Sequence, residues 1–156
     1  MANPRTLEKS VFSMLEHFAQ IQPEKEALVF EDLDQNQTAV ISYRELFKLA
    51  QKAANFLKDQ LGNQTTFAYA FSNCPQILIL NLGAILAGKT FVPLEVRRDS
   101  LEQKAYKLKL TDSKLLFAPA KTAEEEKLQK LISDLKIITL PNLTGLKKQL
   151  GSYPAK

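Results

Sequence analysis

Cysteine and histidine are almost missing from this chain: Cys74 and His17 are the single examples in 156 residues. One cysteine excludes an internal disulfide framework and suits a reducing cytoplasm. His17 falls on a helical stretch with no metal ligand or nucleophile patterned around it, which leaves it a surface or packing role. Glycine is also scarce, 5 in all and none clustered, so no glycine-rich cradle for a phosphate group is present. The longest apolar run, Ile77 to Ala87, is broken by Asn81 and falls short of the roughly 20 residues needed to cross a bilayer. Met1 to Arg5 has no apolar stretch of the secretory kind. The expectation is a soluble, cytoplasmic protein without a membrane span. Nor does charge point to nucleic acid, because 21 Lys and Arg against 17 Asp and Glu leave a net +4 that is spread along the chain.

What the chain does have is apolar material, 45% of its residues, enough to bury a core. The reading is a single domain over 1–151 with a tail at 152–156. Leu7, Val11, Met14, Leu15 and Phe18 recur at helical spacing, with Thr6 able to cap the start and Pro23 closing the region. Ala27–Phe30 and Ala39–Ser42 read as two strands joined by the polar Glu31–Thr38, an antiparallel hairpin. Ser42 and Glu45 have capping-box spacing. The helix that follows places Leu46, Ala50, Ala53, Leu57 and Leu61 on one face, with Gly62 suited to its end.

A rhythm of strand and helix then sets in. Strands are expected at 65–71, 90–94, 114–118 and 136–140, with helices between them. The helix after the first of these is capped by Asn73 or Cys74, has Pro75 in its first turn and stops at Gly88. It is apolar on nearly every side and must be enclosed by protein. Gly83 within it implies a close backbone contact that offsets its poor helix propensity. Ser100 with Gln103, and Thr122 with Glu125, are two more capping boxes. Leu101, Ala105, Leu108 and Thr111 mark one inner face; Leu128, Leu131, Ile132 and Leu135 mark another. Leu143 to Leu150 is a short last helix. Alternating strands and helices predict an α/β fold, a mostly parallel sheet flanked by helices, with the 27–42 hairpin at or beside its edge.

The order of these pieces resembles the first part of the large N-terminal domain of adenylate-forming enzymes, the acyl-CoA synthetase group. The residues that carry the resemblance are Glu26–Phe30, Ser42-Tyr43-Arg44-Glu45-Leu46, Asn73-Cys74-Pro75, Leu82 to Gly88, Val92-Pro93-Leu94 and Lys109 to Leu116. The resemblance covers roughly Leu7 to Leu140. One departure is the turn Leu61-Gly62-Asn63-Gln64-Thr65, where members usually carry Gly-Asp. The resemblance implies a parent that joins a carboxylate to ATP as an acyl-adenylate, usually for transfer to a thiol. In such enzymes a Gly/Ser/Thr-rich loop, a magnesium-binding carboxylate and a mobile lysine do the chemistry, all downstream of the matched region. ATP and magnesium are thus implied for the full-length parent only.

No catalytic, cofactor-binding or metal-binding residue is therefore assigned here. The nearest imitation of a phosphate loop, Leu143-Thr144-Gly145-Leu146-Lys147-Lys148, has one glycine and reads as an amphipathic turn. Cys74, at a helix start, reads as a packed cap. Arg97, Arg98, Lys104, Lys107 and Lys109 read as a solvated basic face, with an anionic ligand, coenzyme A or nucleic acid as the alternative partners. Tyr43, Tyr69 and Tyr106 read as core or rim aromatics, and Glu124 to Glu126 as a solvated helix start. The expectation is an N-terminal fragment of an acyl-CoA synthetase-like enzyme, inactive alone, whose partner is the rest of its parent or another protein. A freestanding, non-catalytic interaction module that self-associates through a sheet edge or apolar face is the alternative, and a small flavodoxin-like ligand binder the third reading.

Overall fold

A computed structural model describes residues 10–32 and 37–156. It begins with α1 (Val11–Ile21), the antiparallel pair β1 (Glu26–Asp32) and β2 (Gln37–Ser42), and α2 (Tyr43–Leu61). Then follow β3 (Thr66–Tyr69), α3 (Pro75–Ala87), β4 (Thr90–Pro93), α4 (Leu101–Leu110), β5 (Leu115–Ala118), α5 (Ala123–Leu131), β6 (Lys136–Thr139) and α6 (Leu143–Leu150). The expected helix start at Thr6 and Leu7 lies outside the described residues. Within them, Ser10 caps α1, its Oγ accepting the Ser13 N–H at 3.0 Å. Strands β1 and β2 reach further into the polar linker than expected, pairing Glu31 with Thr38 and Asp32 with Gln37.

Strands β3 to β6 form a parallel sheet in the order β4-β3-β5-β6. Period-two alternation gives its faces different characters. Phe67, Tyr69, Phe71, Leu115 and Phe117 point to a large core shared with α2, α3 and α6. Ala68, Ala70 and Leu116 point the other way, to a smaller core closed by Ala105 and Leu108 of α4 and Leu128 of α5. Bulky aromatics thus sit under three helices and alanines under two. The β1–β2 hairpin lies beside α2 and contributes Ile41, wholly buried, to the larger core.

Helix α3 lies so close to α2 that a Cβ on Gly83 would sit 2.6 Å from the Cβ of Ala53 and 2.9 Å from its backbone carbon. This is the close packing that the glycine implies. Gly88, at φ 65°, ends α3 in the left-handed conformation that glycine adopts freely. The short turn at Leu61–Thr65 is held by a cation: Lys89 Nζ donates to the carbonyls of Gly62 and Gln64 at 3.0 and 2.7 Å.

Four expectations need correction. Of the helically spaced residues in α1, Leu15 is buried but Val11 and Met14 are exposed. Aromatic pairs set the helix rotation: Phe12 meets Phe47 and Phe18 meets Tyr43, with centroids 5.3 and 5.1 Å apart. Ser42 does cap α2, accepting the Glu45 N–H at 3.3 Å, but the box is not reciprocal. The Glu45 carboxylate turns instead to Lys147 of α6, 2.5 Å away. Helix α5 stops at Leu131, which is exposed, and Ile132 and Leu135 reach the core through a turn in which Asp134 takes a positive φ of 63°. Tyr106, read as core or rim, stands exposed on α4.

Gly83→Ala should destabilise the protein by about 2 kcal/mol despite alanine's better helix propensity, because the added methyl meets the α2 backbone. Urea denaturation read by circular dichroism measures this; an unchanged or higher midpoint would show that the two helices part at little cost.

Candidate functional site at the carboxyl ends of the sheet

All four parallel strands deliver their carboxyl ends to one edge, so the loops after them cluster there. On leaving β3 the chain turns to α3 on one face; on leaving β5 it turns to α5 on the other. Divergence of this kind opens a crevice between adjacent strand ends. A groove with two lobes lies at this edge. One lobe, about 720 Å³, lies under the hairpin and against β3 and β4. The other, about 500 Å³, lies between the β3–α3 loop and the ends of β5 and β6. Phe30, Asp32, Phe71, Ser72 and Asn73 border both lobes, which makes the groove continuous.

The floor of the first lobe is apolar: Tyr69 and Phe71 are buried, with ring centroids 6.2 Å apart, and Leu94 is buried beside them. Its rim is charged, with Glu31, Asp32 and Glu95 against Arg97. The second lobe is bordered by three proline rings, Pro75, Pro119 and Pro141, and by the polar Asn73, Gln76, Asn142 and Thr144. Gln76 is buried and donates from Nε2 to the Leu140 carbonyl at 3.4 Å, tying the start of α3 to the end of β6.

Cys74 is the N-cap of α3. Burial pushes its thiol above the ordinary cysteine range. The N–H groups of Ile77 and Gln76 pull in the opposite direction more weakly. A protonated, half-buried sulfur is a packing group at neutral pH rather than a nucleophile.

The remaining candidates scatter. His17 is exposed on α1, beside Phe18 and outside the groove lining. Thr144 lines the second lobe, but the Gly145 N–H is already taken by Asn142 Oδ1 at 2.8 Å, as in an ordinary helix cap. The basic face is not uniform either. Lys104 is 1% exposed and pairs with Glu124 at 2.7 Å, stitching α4 to α5, while Lys107 pairs with Asp99 at 2.6 Å. That leaves Arg97 on the groove rim, with Arg98 and Lys109 in solvent. Glu125 is buried as the reciprocal half of the Thr122 cap, so only Glu126 of that acidic trio is fully solvated. Sequence reasoning missed Phe30, Glu31, Asp32, Glu95, Gln76 and Asn142 as groove residues. For the last three the signal was position, because each follows the carboxyl end of a parallel strand.

Among the described residues no three His, Cys, Asp or Glu side chains converge as a metal site. Nor is any helix among the described residues long and apolar enough to cross a membrane.

A parallel sheet flanked by helices, with a groove across its strand ends, places the protein in the α/β class. Within it, the model of the AMP-binding enzyme family matches residues 15–151, and the chain belongs to that family. No curated protein matches the sequence. Among solved structures, the fold is similar to a fatty acyl-adenylate ligase from L. pneumophila, in complex with acyl adenylate and pyrophosphate. That match has 16% identity and a TM-score of 0.66, and covers 95% of this chain and 26% of that one. It is also similar to a Mycobacterium tuberculosis fatty acyl CoA synthetase, at 20% identity and TM-score 0.68 over 95% and 29% of the two chains. For O-succinylbenzoate coenzyme A synthetase from Bacillus subtilis, in complex with AMP, the values are 19% and 0.64 over 90% and 32%. At these identities the likeness is one of fold. The chain spans about a quarter to a third of these structures' lengths.

Burial of Cys74 predicts that iodoacetamide at pH 7.5 alkylates it several-fold more slowly than it does glutathione, with full reactivity on unfolding in urea. Mass spectrometry of timed samples reads the rate; modification as fast as that of glutathione would show an accessible, activated thiol.

Proposed function

We propose that these residues form the N-terminal wall of a cytoplasmic enzyme that activates a carboxylate, of the fatty-acid kind, with ATP. In that reaction a carboxylate oxygen bonds to the α-phosphorus and the α–β phosphoanhydride breaks. Pyrophosphate leaves and the acyl-adenylate remains, ready for a thiol. The observation that supports this reading is the family match across nearly the whole chain, together with neighbours three to four times longer that are ligases and synthetases. The part of this chain in the reaction is structural: α3 and the sheet shape one side of a groove, and the groups that grip phosphate come from other segments. The 156 residues alone are then inactive.

Purified as they stand, they should give only background exchange of labelled pyrophosphate into ATP with acetate, octanoate or palmitate and magnesium. The reading frame that follows Lys156 should encode a Ser/Thr/Gly-rich loop. Exchange well above background from these residues alone, or a frame that closes without such a loop, would overturn the proposal.

A second reading has its own observation. Val11, Met14 and Ile21 on α1 and Leu78 and Ile85 on α3 are exposed, and among the described residues β4 and β6 are the edge strands of the four-stranded sheet. A freestanding interaction module would use these surfaces, as would contact with the rest of a longer protein. Light scattering after size exclusion should show a mass that rises with concentration from a monomer; a fixed monomer mass would argue against an open docking face.

A further inference from the structure

The residues after α6 turn back onto α2. Tyr153 meets Phe56 edge-on, with centroids 5.4 Å apart and planes at 72°. Its hydroxyl donates to the Asp59 carboxylate at 2.7 Å and accepts from Gln60 Nε2 at 3.4 Å. Asn55 Nδ2 donates to the Pro154 carbonyl at 2.9 Å. All four partners lie on adjoining positions of the second half of α2. Lys136, the first residue of β6, reaches the same place by donating to Gln60 Oε1 at 2.7 Å.

Helix α6 needs such help. Its 8 residues are too few to hold a helix in water, and only Leu146 and Leu150 are buried. Its leading end matters, because Pro141, Asn142, Leu143 and Thr144 form one wall of the second lobe of the groove. Two ties to α2 hold the helix that carries this wall: the Lys147–Glu45 pair in its last turn, and the Tyr153 contacts just past its end.

We propose that residues 152–154 are a clasp that fixes α6, and through it the Pro141–Thr144 wall of the groove, to α2. With the clasp open, α6 becomes a unit that detaches without unfolding the sheet, since β3 and β5 are held on both faces by other helices. The clasp acts whether or not the groove takes substrate.

Hydrogen–deuterium exchange read by mass spectrometry tests it on the intact chain. In Tyr153→Ala, peptides from 143–150 should exchange at least about tenfold faster while those from β3 and β5 keep their rates. Tyr153→Phe keeps the ring and loses the Asp59 bond, so it should accelerate the same peptides to a lesser degree. Unchanged exchange in α6, or an equal acceleration everywhere, would overturn the clasp. Should Tyr153→Ala fail to fold, Tyr153→Phe and Asn55→Ala decide by the same criterion: faster exchange confined to α6 supports the clasp, and none or a uniform rise defeats it.

Discussion

The contact on which the structure rests is the approach of α3 to α2 at Gly83 and Ala53. Without a side chain at Gly83 the helices lie backbone to side chain, and α3 can bury Ile79, Leu80, Leu82 and Ala84 against α2 and the aromatic face of the sheet. An apolar helix held at a larger distance would leave a gap that no neighbouring side chain is placed to fill. Because α3 starts directly after β3, the depth at which it packs also sets the height of the Phe71–Cys74 loop. The groove between strand ends is thus positioned by a helix–helix contact at the other end of α3.

Much of this was legible because packing leaves periodic traces. Phe67, Tyr69 and Phe71 alternating with Ala68 and Ala70 announce a strand with unlike faces, and the Ser100–Gln103 and Thr122–Glu125 pairs mark two helix starts that the structure confirms. What escaped were choices made between elements. Glu45 has the spacing of a capping partner, but a lysine from a helix a hundred residues later captures it. Lys104 reads as one more surface cation until α5 brings Glu124 beside it. Tyr153 sits in what composition suggests is a tail, and only the fold shows α2 waiting for its ring. Local pattern fixes which elements form; it carries little about which charged side chain meets which.

The groove was the least legible part for a related reason. Its residues are ordinary loop residues, and they gain significance from the parallel sheet that gathers them. Phe30 to Asp32 arrive from a hairpin distant in sequence, whereas Glu95, Gln76 and Asn142 follow the ends of β4, β3 and β6. Topology, not motif, places them together.

Charge then separates scaffold from chemistry. A site that moves negative charge onto a phosphate must supply positive charge or free N–H dipoles ahead of the reaction. Here the helix starts beside the groove offer little: the Gly145 N–H is taken by Asn142, Pro75 in the first turn of α3 has no N–H, and the Ile77 N–H bonds the Cys74 carbonyl at 3.2 Å. An apolar floor fenced by carboxylates and amides instead suits a neutral or apolar portion of a ligand, or another stretch of protein. What these residues share with the family is architecture: a parallel sheet, its flanking helices and the loops gathered at the strand ends.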